Sequence, residues 1–154
     1  FLNQSLPGLA DDPLSLEKYG LENAKRLAAL VFHEALCEYG QDLKHEQQLG
    51  EALADIFTEI FTMESVIARV SQIQSANGAS NMSSIIARIY AAETLLTIKS
   101  LSKVSLNKIF KEIIPDNHQE TIQQLTSRMT LHTDVISLKQ ELADFMYTKK
   151  DYPF

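Results

Sequence analysis

The chain has 154 residues, which is enough for one domain that buries roughly 70% of the surface exposed by the extended chain. Hydrophobic residues make up 45% and charged residues 22%. Both fractions are near the globular average, which argues against a disordered tail and a membrane protein. The 14 Lys and Arg against 20 Asp and Glu give a net charge of −6, which argues against a nucleic-acid partner.

Cysteine content and apolar runs limit the class further. Cys37 is the single cysteine, which excludes internal disulfides and Cys-rich zinc sites and fits a cytoplasmic or other reducing compartment. No apolar run reaches 18 residues, and Phe1–Ala10 lacks the basic start of a signal peptide. Because the chain begins at Phe1 rather than Met, we expect it to be a piece of a longer protein.

The first 13 residues are predicted to be a linker or loop, since Pro7, Gly8 and Pro13 occur there with two aspartates. From Leu14 onwards apolar residues recur at helical spacing until Gly40, and a glycine in this position is typical of a helix end. The pattern predicts either one helix or two that join near Gly20. We expect residues 14–154 to form a single helical-bundle domain.

The second predicted helix has the strongest periodicity. Seven apolar residues follow alternating steps of four and three over three heptads, which predicts a bundle-forming seam: Leu49, Leu53, Ile56, Ile60, Met63, Ile67 and Val70. Phe57 and Phe61 widen the apolar face on one flank. A turn is expected over residues 75–80, with Asn77 and Gly78 suited to positive φ.

A third helix is predicted from about Asn81 to Leu101, and the amphipathic piece Leu106–Ile114 either continues it or stands alone. The last helical stretch runs from about His118 to Met146, with a break near residues 130–134 because Thr133 and Asp134 can start a new cap. No segment alternates with period two. The predicted fold is all-α: a mostly antiparallel up-and-down bundle of four main helices plus short helical pieces.

Catalytic motifs are not recognisable in the sequence. The glycines form neither a dinucleotide fingerprint nor a phosphate-binding loop, and no serine lies in a nucleophile elbow. His33 and Cys37 are four residues apart and could share a metal ion, but we favour a His beside a small buried Cys. The Glu-x-x-His pairs of a di-iron bundle are missing. We therefore predict no catalytic, cofactor-binding or metal-binding residues in this chain.

Two acidic residues lie beside apolar stripes and need partners. Glu64 continues the flank of Phe57 and Phe61, and Glu93 lies between apolar residues of the third helix. Arg69 and Arg88 on the same two helices are the expected partners, so we interpret the four as structural ion pairs that fix helix register rather than as a poised acid.

Several aromatic and aliphatic residues could form a face that docks on another body. The candidates are the stripe on the second and third helices and the amphipathic piece after them: Phe57, Phe61, Tyr90, Ile109 and Phe110. Basic residues are diluted by acids, and no basic run precedes Leu14, so membrane attachment is not expected.

The second helix and the residues after it resemble a known family. Leu53-Ala54-Asp55, then Glu59, Phe61, Met63 and Arg69, a polar turn, and a long helix through Tyr90-Ala91-Ala92-Glu93 are similar to the C-terminal helical domain of very-long-chain-type acyl-CoA dehydrogenases. The end of the chain, Asp151-Tyr152-Pro153-Phe154, resembles the closing residues of that family.

The resemblance implies a non-catalytic appendage. In that family a core that carries FAD oxidises the acyl-CoA in fatty-acid β-oxidation, and the appended bundle packs on the core and takes part in a homodimer. The core's catalytic glutamate has no counterpart here, so this chain alone would be no enzyme although its parent would be one. The alternative is a free-standing interaction or adaptor bundle that binds a partner helix. A small metal-dependent bundle enzyme ranks third.

Overall fold

The computed structural model describes residues 12–77, 81–111 and 113–149. Over these ranges the chain is helical, with no strand, as the sequence predicts. The elements in chain order are α1 (Ser15–Tyr39), a short 3-10 helix (Gly40–His45), α2 (Gln47–Asn77), α3 (Asn81–Ile109), α4 (Asp116–Arg128) and α5 (Val135–Lys149). The all-α bundle is confirmed. The described residues form five α-helices, because the last predicted stretch divides into α4 and α5.

Helix α1 is continuous through Gly20, so the alternative of two joined helices is wrong. It ends at Tyr39, as predicted, and Gly40 takes a positive φ of 51° while its N–H bonds to the carbonyl of Leu36. A glycine adopts this left-handed backbone more easily than any residue with a Cβ. The short 3-10 helix then leads the chain back into α2.

Each of the three long helices runs antiparallel to the long helix before it in the sequence. Between α1 and α2, Phe32 contacts Phe57, and Lys25 pairs with Glu64, so residue numbers rise on one helix as they fall on the other. Helix α3 returns along α2 and packs on both earlier helices. The three long helices therefore form the centre of the bundle.

The core that the described residues form is one cluster between α1, α2, α3 and α4. The seven seam residues of α2 are all buried in it, as the heptads predict. Gly20 permits a close approach of α1 to α3, since a Cβ there would lie 2.7 Å from Cδ1 of Leu95.

The break between the last two helices is where the sequence places it. Asp134 caps α5: its Oδ1 accepts a hydrogen bond from the backbone N–H of Ser137 at 3.1 Å, and its Oδ2 accepts one from the Ser137 hydroxyl at 2.7 Å. These bonds lower the pKa of the Asp134 carboxyl. Helix α5 packs mainly on α3, and none of its side chains from Val135 to Thr148 is fully buried.

Other boundaries differ from expectation or are not described. Helix α3 continues without interruption to Ile109, so the amphipathic piece is not separate: its first part, up to Ile109, belongs to α3, and its last part lies beyond the helix. Helix α2 extends to Asn77, into the predicted turn. Residues 1–11 of the predicted linker, Gly78 to Ser80 and the tail from Lys150 lie outside the described residues.

Candidate docking surface

An apolar strip crosses the outer face of α1 and α2. Phe32 and Leu36 are one turn apart on α1, and Phe57 and Phe61 are one turn apart on α2, with exposed fractions of 40%, 43%, 45% and 69%. The rings of Phe32 and Phe57 meet edge to face, with centroids 5.9 Å apart and planes at 79°. We call these four residues the aromatic strip.

The antiparallel register of α1 and α2 determines the order of the four residues along the aromatic strip. Because Phe32 faces Phe57, Leu36 extends it towards the α1–α2 connection and Phe61 extends it in the opposite direction. The Lys25–Glu64 pair lies beyond Phe61, with Nζ and Oε1 2.6 Å apart. A contiguous apolar surface with a charged rim is the typical anatomy of a protein–protein contact.

The other predicted docking residues are less available. Tyr90 is half-buried, and its hydroxyl donates to Oγ1 of Thr62 at 2.9 Å, so it joins α3 to α2. Phe110 is half-buried on the core, with its ring centroid 5.4 Å from that of His118. Ile109 is 3% exposed and belongs to the core. Of the five candidates, only Phe57 and Phe61 are on the open surface.

Interhelical ion pairs are present, but with partners other than those expected. Glu64 pairs with Lys25 of α1, and Glu93 pairs with Lys139 of α5. Arg88 pairs with Glu17 of α1, where Nε and Oε1 are 3.6 Å apart. Arg69 is exposed and has no ion-pair partner among residues 12–77, 81–111 and 113–149. The expected α2–α3 pairing is wrong because α1 and α5 supply the opposite charges.

Glu17 is the buried acid that sequence reasoning missed. It is 3% exposed in the first turn of α1, and burial raises the pKa of its carboxyl while the charge of Arg88 opposes that shift. The spacing in the sequence already indicated this burial. Glu17 lies three residues after Leu14 and four residues before Leu21, and both leucines are buried. It therefore lies on the apolar face of the helix.

Replacing Glu17 tests the cost of this burial. The folded chain holds the Glu17 proton more tightly than the unfolded chain does, so this group contributes less stability as pH rises above its ordinary pKa of 4.5. We expect Glu17→Gln to raise the free energy of unfolding at pH 7 relative to wild type, and to lose that advantage at pH 4. Urea unfolding at both pH values measures it. An equal gain in the free energy of unfolding at pH 7 and at pH 4 would contradict the expectation.

Metal ligands do not converge in the described parts of the chain. His33 and Cys37 lie on the exposed side of α1, with Nε2 and Sγ 3.6 Å apart. The expectation of a buried cysteine is wrong. The described residues contain no group of three or more His, Cys, Asp or Glu side chains that could hold an ion. Among the same residues, no helix has the length and apolarity needed to cross a bilayer.

Comparison with known proteins agrees with this helical bundle. The chain matches the family described as "Acyl-CoA dehydrogenase, C-terminal domain" over residues 23–132. That range is more than half of the chain and includes α2, α3 and α4 completely. The chain belongs to this family.

Two similar proteins are much longer than this chain. A protein from Bacillus subtilis (strain 168) named "Probable acyl-CoA dehydrogenase" is 30% identical over 95 residues, which are 60% of this chain and 16% of the relative. A crystal structure of an acyl-CoA dehydrogenase complexed with FAD from Bacillus anthracis has the same fold, with a TM-score of 0.81 and 24% identity over 94% of this chain and 25% of that one. The chain thus spans about a sixth of one and a quarter of the other.

Proposed function

We propose that this chain is the non-catalytic C-terminal domain of an FAD-dependent acyl-CoA dehydrogenase that acts on long or very long acyl chains in fatty-acid β-oxidation. The observation that carries the proposal is the family match over residues 23–132. The small share of each relative that the chain spans supports the idea that flavin binding and oxidation belong to a preceding core.

The aromatic strip gives this domain a physical role. Four large apolar side chains are exposed on adjacent helices, and an exposed patch of this kind marks a contact with another protein surface. In the proposed parent, that surface is the catalytic core. Through the core, the domain would support a homodimer of the parent. The single cysteine fits a reducing compartment.

A flavin and activity assay tests the non-catalytic role. The purified 154-residue chain, mixed with excess FAD and dialysed, should retain no flavin absorbance and should not reduce an electron acceptor with palmitoyl-CoA. The parent enzyme is the positive control and should do both. Flavin retained by the isolated chain in stoichiometric amount would overturn the proposal.

A further inference from the structure

A cavity of about 360 Å³ lies where α1, α3 and α4 meet. Its walls include Leu27 from α1, Leu106 from α3, Ile122 from α4 and Ile114 from the segment before α4. Polar side chains, two lysines among them, complete the lining. A cavity of this size that combines aliphatic walls with polar groups is typical of sites for small ligands. It lies away from the aromatic strip, since none of the strip's residues lines it.

Two lysines of α3 line the same cavity. Lys99 and Lys103 are one turn apart on α3. Nζ of Lys99 donates to Oγ1 of Thr130 at 2.7 Å, and burial lowers its pKa. Within the described ranges neither lysine has a carboxylate partner, whereas Lys108, farther along the same helix, pairs with Glu46 at 3.2 Å. In this part of the chain, no anion therefore balances the positive charge beside the aliphatic wall.

A buried hydroxyl also lines the cavity. Ser102 lies between the two lysines in sequence and lines the cavity, and its buried hydroxyl has no hydrogen-bond partner among the described residues. A buried polar group without a partner is costly, and a ligand or a water molecule commonly supplies the missing bond.

We propose that this cavity binds an amphipathic anion, a straight-chain alkyl carboxylate. The alkyl chain would contact Leu27, Leu106 and Ile122, and the carboxylate would accept hydrogen bonds from Lys99 and Lys103. The charge of the lysines selects an anion, and the aliphatic walls select a hydrocarbon chain. This binding site is independent of the proposed role in the parent enzyme, so either can fail without the other.

Calorimetric titration of the 154-residue chain with octanoate tests the ligand class. Each methylene that enters the cavity should strengthen binding about fourfold, so octanoate should bind about fifteenfold more tightly than hexanoate. Octanol should bind more weakly than octanoate, and octylammonium should not bind. Equal affinity for the anion and the cation, or no dependence on chain length, would overturn the proposal.

Matched lysine variants test the location. The double variant Lys99→Met, Lys103→Met should weaken octanoate binding roughly tenfold, the effect of losing charged hydrogen bonds, and leave octanol binding unchanged. Lys44→Met is the control, because Lys44 is exposed on the 3-10 helix and does not line the cavity. An equal loss in the control would contradict the assignment.

Methyl NMR distinguishes the cavity from the exposed surface even if a variant fails to fold. In the wild-type chain, octanoate should shift the methyl resonances of Ile114 and Ile122 and leave that of Leu36 in place. Shifts at Leu36 with none at the two isoleucines would mean that the carboxylate coats the aromatic strip, and the proposal would be wrong.

Discussion

Replacing Phe57 and Phe61 by glutamate should weaken binding of this domain to the catalytic core of the parent enzyme by at least about a hundredfold. Exposed aromatic residues that become buried at the centre of an interface commonly contribute 2 kcal/mol or more each. Both side chains are open to solvent in the bundle, with Phe61 69% exposed, so their replacement leaves the domain's own core intact. Titration calorimetry of the domain with the separately expressed core measures the change.

A matched control separates docking from general surface effects. Val104 and Ile136 are also exposed apolar residues, at 62% and 73%, but they lie on α3 and α5. The double variant Val104→Glu, Ile136→Glu adds the same charge and should change the affinity less than threefold. If it weakens binding as much as the strip variant does, the docking surface is not the aromatic strip.

Replacing Met63 by alanine should lower the free energy of unfolding by about 3 kcal/mol, the effect of leaving a cavity in a packed core. Met63 is 0% exposed and lies in the middle of the α2 seam, where α1 and α3 both pack against that helix. For a domain of this size the loss corresponds to a fall in Tm of roughly 6–12 °C. Guanidinium unfolding followed by circular dichroism measures it.

Phe61→Ala is the natural control for that experiment. Phe61 lies two residues before Met63 on the same helix but points to solvent. Its replacement should change the unfolding free energy by less than about 0.5 kcal/mol. Equal effects of the two substitutions would mean that α2 packs with a different face towards the core.

Periodicity predicted the helices well because it depends only on which side chains avoid water. The α2 seam, the stop at Gly40 and the cap at Asp134 each follow from local residue chemistry. The same reasoning left the joins near Gly20 and at Ser102–Ser105 open, since both helical continuation and a break satisfy the local pattern. Tertiary packing decided for continuous helices at both places.

The candidate site was predicted only in part, because the spacing of apolar residues along one helix does not show which other helices pack beside it. Phe57 and Phe61 follow from the wide apolar flank of α2, but Phe32 joins them only through the register of α1 against α2. The ion-pair partners of Glu64 and Glu93 likewise depend on which helices lie side by side and in which register. Lys25 and Lys139 lie far from them in the sequence and meet them only in the folded bundle.

Sedimentation velocity of this chain mixed with the flavin-loaded core of the parent enzyme tests the central claim most directly. The account predicts that the 154-residue chain, colourless by itself, moves with the yellow core as one stoichiometric boundary. It also predicts that the Phe57→Glu, Phe61→Glu variant sediments apart from that core. Independent sedimentation of the wild-type chain, or flavin bound to that chain rather than to the core, would contradict the account.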